Sequence, residues 1–81
     1  MLKIAKVYWT DSRYYSCKDD IAWFADNAKT IEVITTGHII KVRRNEIVIA
    51  GEIAEGQARH VSVILRKNIN KIEYLEMKSE A

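Results

Sequence analysis

Proline is absent from this 81-residue chain, cysteine occurs once and glycine three times. Without proline, the edges of any sheet have to be managed by charge, by bulges or by pairing with another chain. The lone Cys17 excludes an internal disulfide, and this cysteine usage predicts a reducing, cytoplasmic setting. Gly37, Gly51 and Gly56 stand singly, which excludes a glycine-rich phosphate loop. No apolar run approaches the roughly 18 residues of a membrane span, and the opening MLKIAKVYWT lacks the apolar core of a signal peptide. Neither export nor membrane spanning is therefore expected. Charge of one sign is also short. Thirteen Lys and Arg against eleven Asp and Glu give +2, too little for a surface that wraps a polyanion, although a local basic patch remains open.

What is present is an ordinary globular composition, 48% apolar and 30% charged, and one domain over residues 1–81. A domain of this size buries only about 60–65% of its unfolded surface, so its core is thin. Residues 2–9, LKIAKVYW, have strand character with imperfect alternation. Ser16 and Asp19 have the spacing of a capping box, and Ile21, Phe24, Ala25 and Ala28 fall on one helical stripe. This pattern predicts a short helix over about 17–27, with Asp19 and Asp20 in its first turn and Asn27 as its stop. From about residue 30 to 76 the texture is that of strands. TIEVITTG alternates, and Gly37 bends or breaks the run before HIIKV resumes it. RRNE reads as a hairpin tip in which Asn45 tolerates a left-handed conformation. IVIAGEIA returns, EGQA turns, RHVSVIL alternates with Val61, Val63 and Leu65 on one face, RKN turns, and INKIEYLEM is the last strand. The polar tail 78–81 is expected to fray. Consecutive strands with short connections imply an antiparallel meander, and a sheet bent at Gly37 and Gly51 closes most readily into a small barrel.

No catalytic constellation is visible. His38 and His60 lack ligand partners at metal-like spacing, Cys17 lacks a base, and Asp19 and Asp20, as neighbours on a helix, point in different directions. The expectation is a protein with no enzyme activity, no metal and no cofactor. Six of the seven aromatics, Tyr8, Trp9, Tyr14, Tyr15, Trp23 and Phe24, lie in the first 24 residues. With Lys6, Arg13 and Lys18 among them they could stack bases. Packing of a helix across an open barrel end, or a subunit interface, is the more ordinary use of such a cluster.

The stretch TIEVITTGHIIKVRRNEIVIAGEI resembles the first Sm motif, in which a glycine-bearing strand pair is followed by an Asn near the next turn; Gly37 and Asn45 stand at those places. VSVILRKNINKIEYL resembles the second Sm motif, with the turn Arg66-Lys67-Asn68 between two strands. The whole chain is similar to small uncharacterised Sm-like proteins of phage and environmental origin. Those open with a Trp-x-Asp strand end, here Trp9-Thr10-Asp11, and close on an Ile-x-x-x-Asn-Ile turn, here residues 64–69. Two positions depart from the pattern: Lys67 stands where glycine is usual after the arginine, and Arg43-Arg44 replace an acidic residue before Asn45.

The resemblance implies a mainly β fold, a small bent antiparallel five-stranded barrel of the SH3-like or Sm-like kind, with one short helix near the N-terminus. It also implies a homo-oligomeric ring made by pairing edge strands, with the two motif turns around a central opening. A ring multiplies each small basic turn into a positive rim. The function then expected is non-enzymatic binding of single-stranded RNA or a similar polyanion. Arg66 would contact phosphate or stack on a base, Asn45 and Asn68 would bond base edges, and Arg44 and Lys67 would add charge. The alternative is an SH3-like structural or adaptor module that binds a protein partner through the aromatics around Tyr8, Trp9, Tyr14 and Tyr15.

Overall fold

A computed structural model describes residues 2–75; the frayed tail expected at 78–81 lies outside these. The chain runs β1 (Ile4–Asp11), α1 (Ile21–Asn27), β2 (Ile31–Val42), β3 (Glu46–Ala54), β4 (Gln57–Leu65), a single 3-10 turn (Arg66–Asn68) and β5 (Ile69–Leu75). The five strands form one open antiparallel sheet in the order β4-β3-β2-β1-β5. The fold is thus mainly β with one short helix, as expected. Residues 2–9, whose alternation is imperfect, supply most of the strand that joins the two ends of the meander. β1 pairs with β2 from Ile4 opposite His38 to Asp11 opposite Ile31, and on its other side with β5 from Ile4 opposite Leu75 to Trp9 opposite Ile69. β4 and β5 are the edges and are not paired with each other.

β2 serves two partners along its length. Its first half pairs with β1, and its second half, from His38, pairs with β3. The changeover falls at Gly37, where a side chain would meet the Ala50 carbonyl and stand 3.2 Å from Ile49 Cγ1. Only a residue without Cβ lets the two strands approach there, so the glycine read as a bend is a close approach between strands. A register shift between Ile39 and Lys41 marks a bulge just beyond it. Between β3 and β4, Ala54 pairs with Gln57, leaving Glu55 and Gly56 as a two-residue loop with φ of 52° and 75°. Both positive angles are those a type I′ hairpin turn requires.

The core is small and one-sided. Ala5 and Val7 of β1, Ile39 of β2, Ile47 and Ile49 of β3 and Ile64 of β4 are buried together, with Trp9, Ile69 and Ile72 packed on them. Trp9 keeps its indole N–H satisfied by donating to Thr35 Oγ1 over 2.9 Å, as a partly buried Trp must. On β4 it is Ile64 that faces the core. Val61, Val63 and Leu65 share the opposite face and are 48, 56 and 42% exposed.

The helix departs from the expectation at its start. It begins at Ile21, with Asp20 at the N-cap position and no side-chain cap bond. Ser16 forms no capping box, because Asp19 turns its carboxylate to the Asp20 amide at 2.7 Å. Both aspartates therefore precede the first turn, which holds no acidic residue. The stop is as read: Asn27 ends the helix, and its side-chain amide donates to the Trp23 carbonyl at 2.9 Å. The stripe at 21, 24, 25 and 28 is not a core-facing stripe. Ile21 is 89% exposed and Phe24 only half-buried.

Candidate functional site

The β2–β3 loop is residues 43–45, shorter by one than expected because Glu46 already belongs to β3. The Arg43 amide donates to the Glu46 carbonyl at 2.8 Å, and the Arg43 guanidinium binds the Glu46 carboxylate at 2.6 Å. One arginine of the pair is thus neutralised and used to close the loop. Asn45 keeps an ordinary negative φ, since Glu55 and His60 are the non-glycine residues with positive φ among those described. The left-handed conformation expected at Asn45 is not adopted, because the loop closes through Arg43 and Glu46 without it.

The second turn, Arg66–Asn68, is a 3-10 turn closed by the Ile69 amide donating to the Arg66 carbonyl. It is tied to the first. The Arg66 amide donates to the Asn45 carbonyl at 2.9 Å, and its guanidinium reaches the Arg43 carbonyl at 3.4 Å. These bonds bridge segments more than twenty residues apart in sequence and hold two polar turns side by side. Between them opens a cleft of about 450 Å³, lined by Arg44, Asn45, Leu65, Arg66 and Lys67. Four of the five residues singled out in the sequence therefore meet at one place. Asn68 does not line the cleft and is half-buried in the turn.

The electrostatics of the cleft follow from its small inventory. Arg43, Arg44, Arg66 and Lys67 stand against one carboxylate, Glu46, whereas the whole chain carries thirteen cations and eleven carboxylates. The excess at this one place exceeds that of the entire protein. Among the described residues, Arg44, Arg66 and Lys67 make no salt bridge, so three cations face solvent uncompensated. The floor is apolar because Leu65, 42% exposed, ends β4 beneath the loop. Leu65 was not legible as a site residue, since it continues the Val61, Val63 alternation and reads as part of a strand.

The aromatics do not share one surface. Tyr8 and Trp9 are neighbours on β1 and so take opposite faces. Trp9 packs on the core, while Lys71 Nζ lies 5.6 Å from the Tyr8 ring. Tyr15, Trp23 and Phe24 form their own cluster, three mutual edge-to-face pairs with centroids 6.4, 5.6 and 5.3 Å apart. Tyr14 stands outside it, 90% exposed.

A second polar group lies on the sheet face that carries Tyr8. Asn70 donates to Thr10 Oγ1 and Glu32 Oε2, and Thr10 donates to Glu32 Oε1, all near 3.0 Å. Beside it Lys71 and Glu73 pair at 3.0 Å. The hydrogen bond from Lys71, then one from Tyr8, hold the Glu73 carboxyl below its usual range, and the same bond to Glu73 raises Lys71. The Asn70, Thr10 and Glu32 bonds run across strands and brace β5 against β1 and β2, whereas Lys71 and Glu73 pair along β5 itself. Among the described residues no three His, Cys, Asp or Glu side chains stand close enough to hold a metal ion, and no helix is long and apolar enough to cross a membrane. No protein-family model matches the chain, and neither a curated protein nor a solved structure matches it significantly.

Proposed function

We propose that this protein is a non-enzymatic, Sm-like barrel module that assembles into a homo-oligomeric ring and binds single-stranded RNA or a similar polyanion at the cleft between its two basic turns. The observation that carries this reading is the convergence of residues 43–45 and the Arg66–Asn68 turn into one cleft. An anionic strand needs cations for its phosphates, a hydrogen-bonding side chain for base edges and an apolar surface under the base. Among the described residues, Arg44 and Lys67 are the cleft cations with no side-chain partner, Asn45 offers its side-chain amide while its carbonyl is used in the clamp, and Leu65 is the apolar surface. Arg66 has a double part, holding the loops together and adding charge. Asn68, half-buried in the turn, is the least suited of the five to reach a base.

The sheet is consistent with the barrel half of the proposal. Five antiparallel strands form one sheet drawn close at Gly37, and β4 and β5 remain as edges that a neighbouring copy could extend. The helix falls between β1 and β2 rather than ahead of the sheet, a departure from the Sm arrangement. The adaptor alternative loses support from the division of Tyr8, Trp9 and Tyr14 among different surfaces.

Fluorescence anisotropy with short labelled poly-U and poly-A at two salt concentrations tests the binding half. Binding at low salt that weakens at high salt is expected. No binding by the unmodified protein at low salt overturns it. Light scattering tests the ring: a stable 9.4 kDa monomer at micromolar concentration overturns assembly.

A further inference from the structure

The chain is too extended for its length. A compact domain of 81 residues has a radius of gyration of about 12 Å, and this one has 16.6 Å, with extents of 59 × 26 × 23 Å. A compact monomer of 9.4 kDa exposes about 5,000 Å², and this chain exposes 6855 Å². The excess is roughly 1,800 Å² per copy, close to what a ring member gives up over its two contacts when each takes about 800 Å² from each partner. Part of that surface is apolar, with exposed Ile34, Val42 and Tyr74 among it, and two of its patches lie far apart. One is the arm, residues 12–30, which carries α1: Tyr14 and Ile21 are 90 and 89% exposed, and Trp23 41%. The other is the stripe of Val61, Val63 and Leu65 on the outward face of edge strand β4.

Neither patch can cover the other within one chain. The stripe is in register with Ala50, Val48 and Glu46 of β3, and this part of β3 lies along the stretch of β2 from His38 to Val42. The arm joins the sheet at Asp11 and Ile31, at the far end of β2. Seven residues separate Ile31 from His38, about 23 Å of strand. The arm is also neutral, with Arg13, Lys18 and Lys29 against Asp19, Asp20 and Asp26, so nothing in its charge attracts a polyanion. The edge-to-face packing of Trp23 on Tyr15 and Phe24 holds the arm's aromatic face in one shape before any contact is made, which lowers the entropic cost of docking.

We infer that the arm of one copy, through its exposed Tyr14 and Ile21, docks on the Val61 and Val63 part of the β4 stripe of a second copy, leaving Leu65 to the cleft. This rests on the assembly half of the proposed function and names its contact. The interface is heterologous: each copy gives an arm and receives one, so the contact propagates until a ring closes. It uses the face of β4 and leaves that strand's hydrogen-bonding edge free.

Two paired variants test it by light scattering without nucleic acid. One carries Tyr14→Ser and Ile21→Lys, the other Val61→Lys and Val63→Lys, all at exposed positions, with circular dichroism checking that the sheet is retained. Each alone is expected to be a monomer. Mixed in equal amounts, they are expected to form a 1:1 complex of twice the monomer mass and nothing larger, because the mixture holds one intact arm and one intact stripe. The introduced lysines are alike in charge, so they cannot attract one another. If either pair misfolds, Ile21→Ser and Val63→Thr replace them, and each is expected to raise the dissociation concentration at least tenfold. An oligomer that survives both sets of substitutions overturns this docking and leaves an edge-paired ring standing. Monomeric variants that fail to combine also overturn it. A monomeric unmodified protein overturns both the docking and the ring, while the anisotropy measurement still judges nucleic-acid binding separately.

Discussion

Gly37 of β2 and Ala50 of β3 meet backbone to backbone, so closely that a side chain at Gly37 would collide with the Ala50 carbonyl, its Cβ 2.9 Å from the carbonyl carbon. The obstacle is main chain and cannot rotate away. Gly37→Ala must therefore push β3 off β2 at the place where β2 changes partners. The expected cost is about 2–3 kcal/mol, at the upper end of overpacking, read as a lowered denaturant midpoint. Gly56→Ala, at φ 75° with open space around it, is expected to cost only about 1 kcal/mol, from backbone conformation alone. Equal costs at the two glycines would contradict the close approach at Gly37.

His60 sits opposite Gly51 between the pairs Ala50–Val61 and Glu52–Arg59, yet its φ is 56°. A histidine within a strand at positive φ stores of order 1–3 kcal/mol of backbone strain. His60→Gly is expected to hold or raise stability, and His60→Val, whose branched side chain resists that conformation, to lower it by about 1–2 kcal/mol. Paired urea titrations check the order. A more stable His60→Val protein would show that the side chain, not the backbone, sets this position.

Trp9 lies across the end of the core and donates to Thr35. Trp9→Phe keeps most of the apolar area and loses the hydrogen bond, at an expected cost of about 1 kcal/mol, to which the unpartnered Thr35 hydroxyl adds little because it can turn to water. Trp9→Ala is expected to cost about 3 kcal/mol, because the ring is only partly buried. Thermal melts distinguish the two steps. A Trp9→Ala protein as stable as the unmodified one would detach Trp9 from the core.

The sequence was most readable where geometry is local. The strands after residue 30 and the glycine-bearing hairpin turn follow from alternation and from residues with special backbone freedom, whereas Gly37, read as a bend, marks a close approach of β2 to β3. The helix start was misplaced because Ser16, Asp19 and Asp20 are all able to cap, and the choice among them depends on how the chain leaves Asp11. The pairing of β1 with β5 joins residues sixty or more apart, and no periodicity records it. The same holds for the site. Two polar turns were visible, but the Arg66–Asn45 hydrogen bond that makes them one cleft was not. Leu65 belongs to the cleft and the outward stripe, yet it looked like an ordinary strand residue.

Lys71 and Glu73 form an exposed pair on β5. Glu73 is held low by its bond from Lys71, so its contribution is present above the carboxylate's unfolded value and fades as pH falls through its lower folded value. Lys71 is held high by the same bond, so its contribution is present below the amine's unfolded value and fades as pH rises through its higher folded value. Between these limits the pair gives a flat plateau. Glu73→Gln is expected to flatten the acid limb of the stability profile and to soften the alkaline one, with small amplitude because both groups are exposed. Urea midpoints across pH 3 to about 11 check this. An unchanged acid limb would remove the pair from the account.

Arg44 and Lys67 are the cations best placed to test the cleft, because neither holds the fold. Arg43 is spent on Glu46, and Arg66 ties the two turns through its amide and guanidinium, so changing either confounds charge with structure. Arg44→Ser with Lys67→Ser is expected to shift stability by less than about 0.5 kcal/mol, as exposed positions do. With each cation on one phosphate, the pair releases two fewer counterions per subunit. The slope of log affinity against log salt should fall by about 1.4 for a single strand, and affinity at low salt should fall with it. Asn45→Ala leaves the carbonyl that receives the Arg66 amide in place and removes no charge. It is expected to weaken binding while leaving the salt slope unchanged. The comparison separates the two roles in one measurement: charge loss moves the slope, and loss of a base contact moves only the intercept. If the double variant binds short poly-U with the unmodified slope, the basic turns are not where the strand lies, and the cleft is only the joint between two strand pairs.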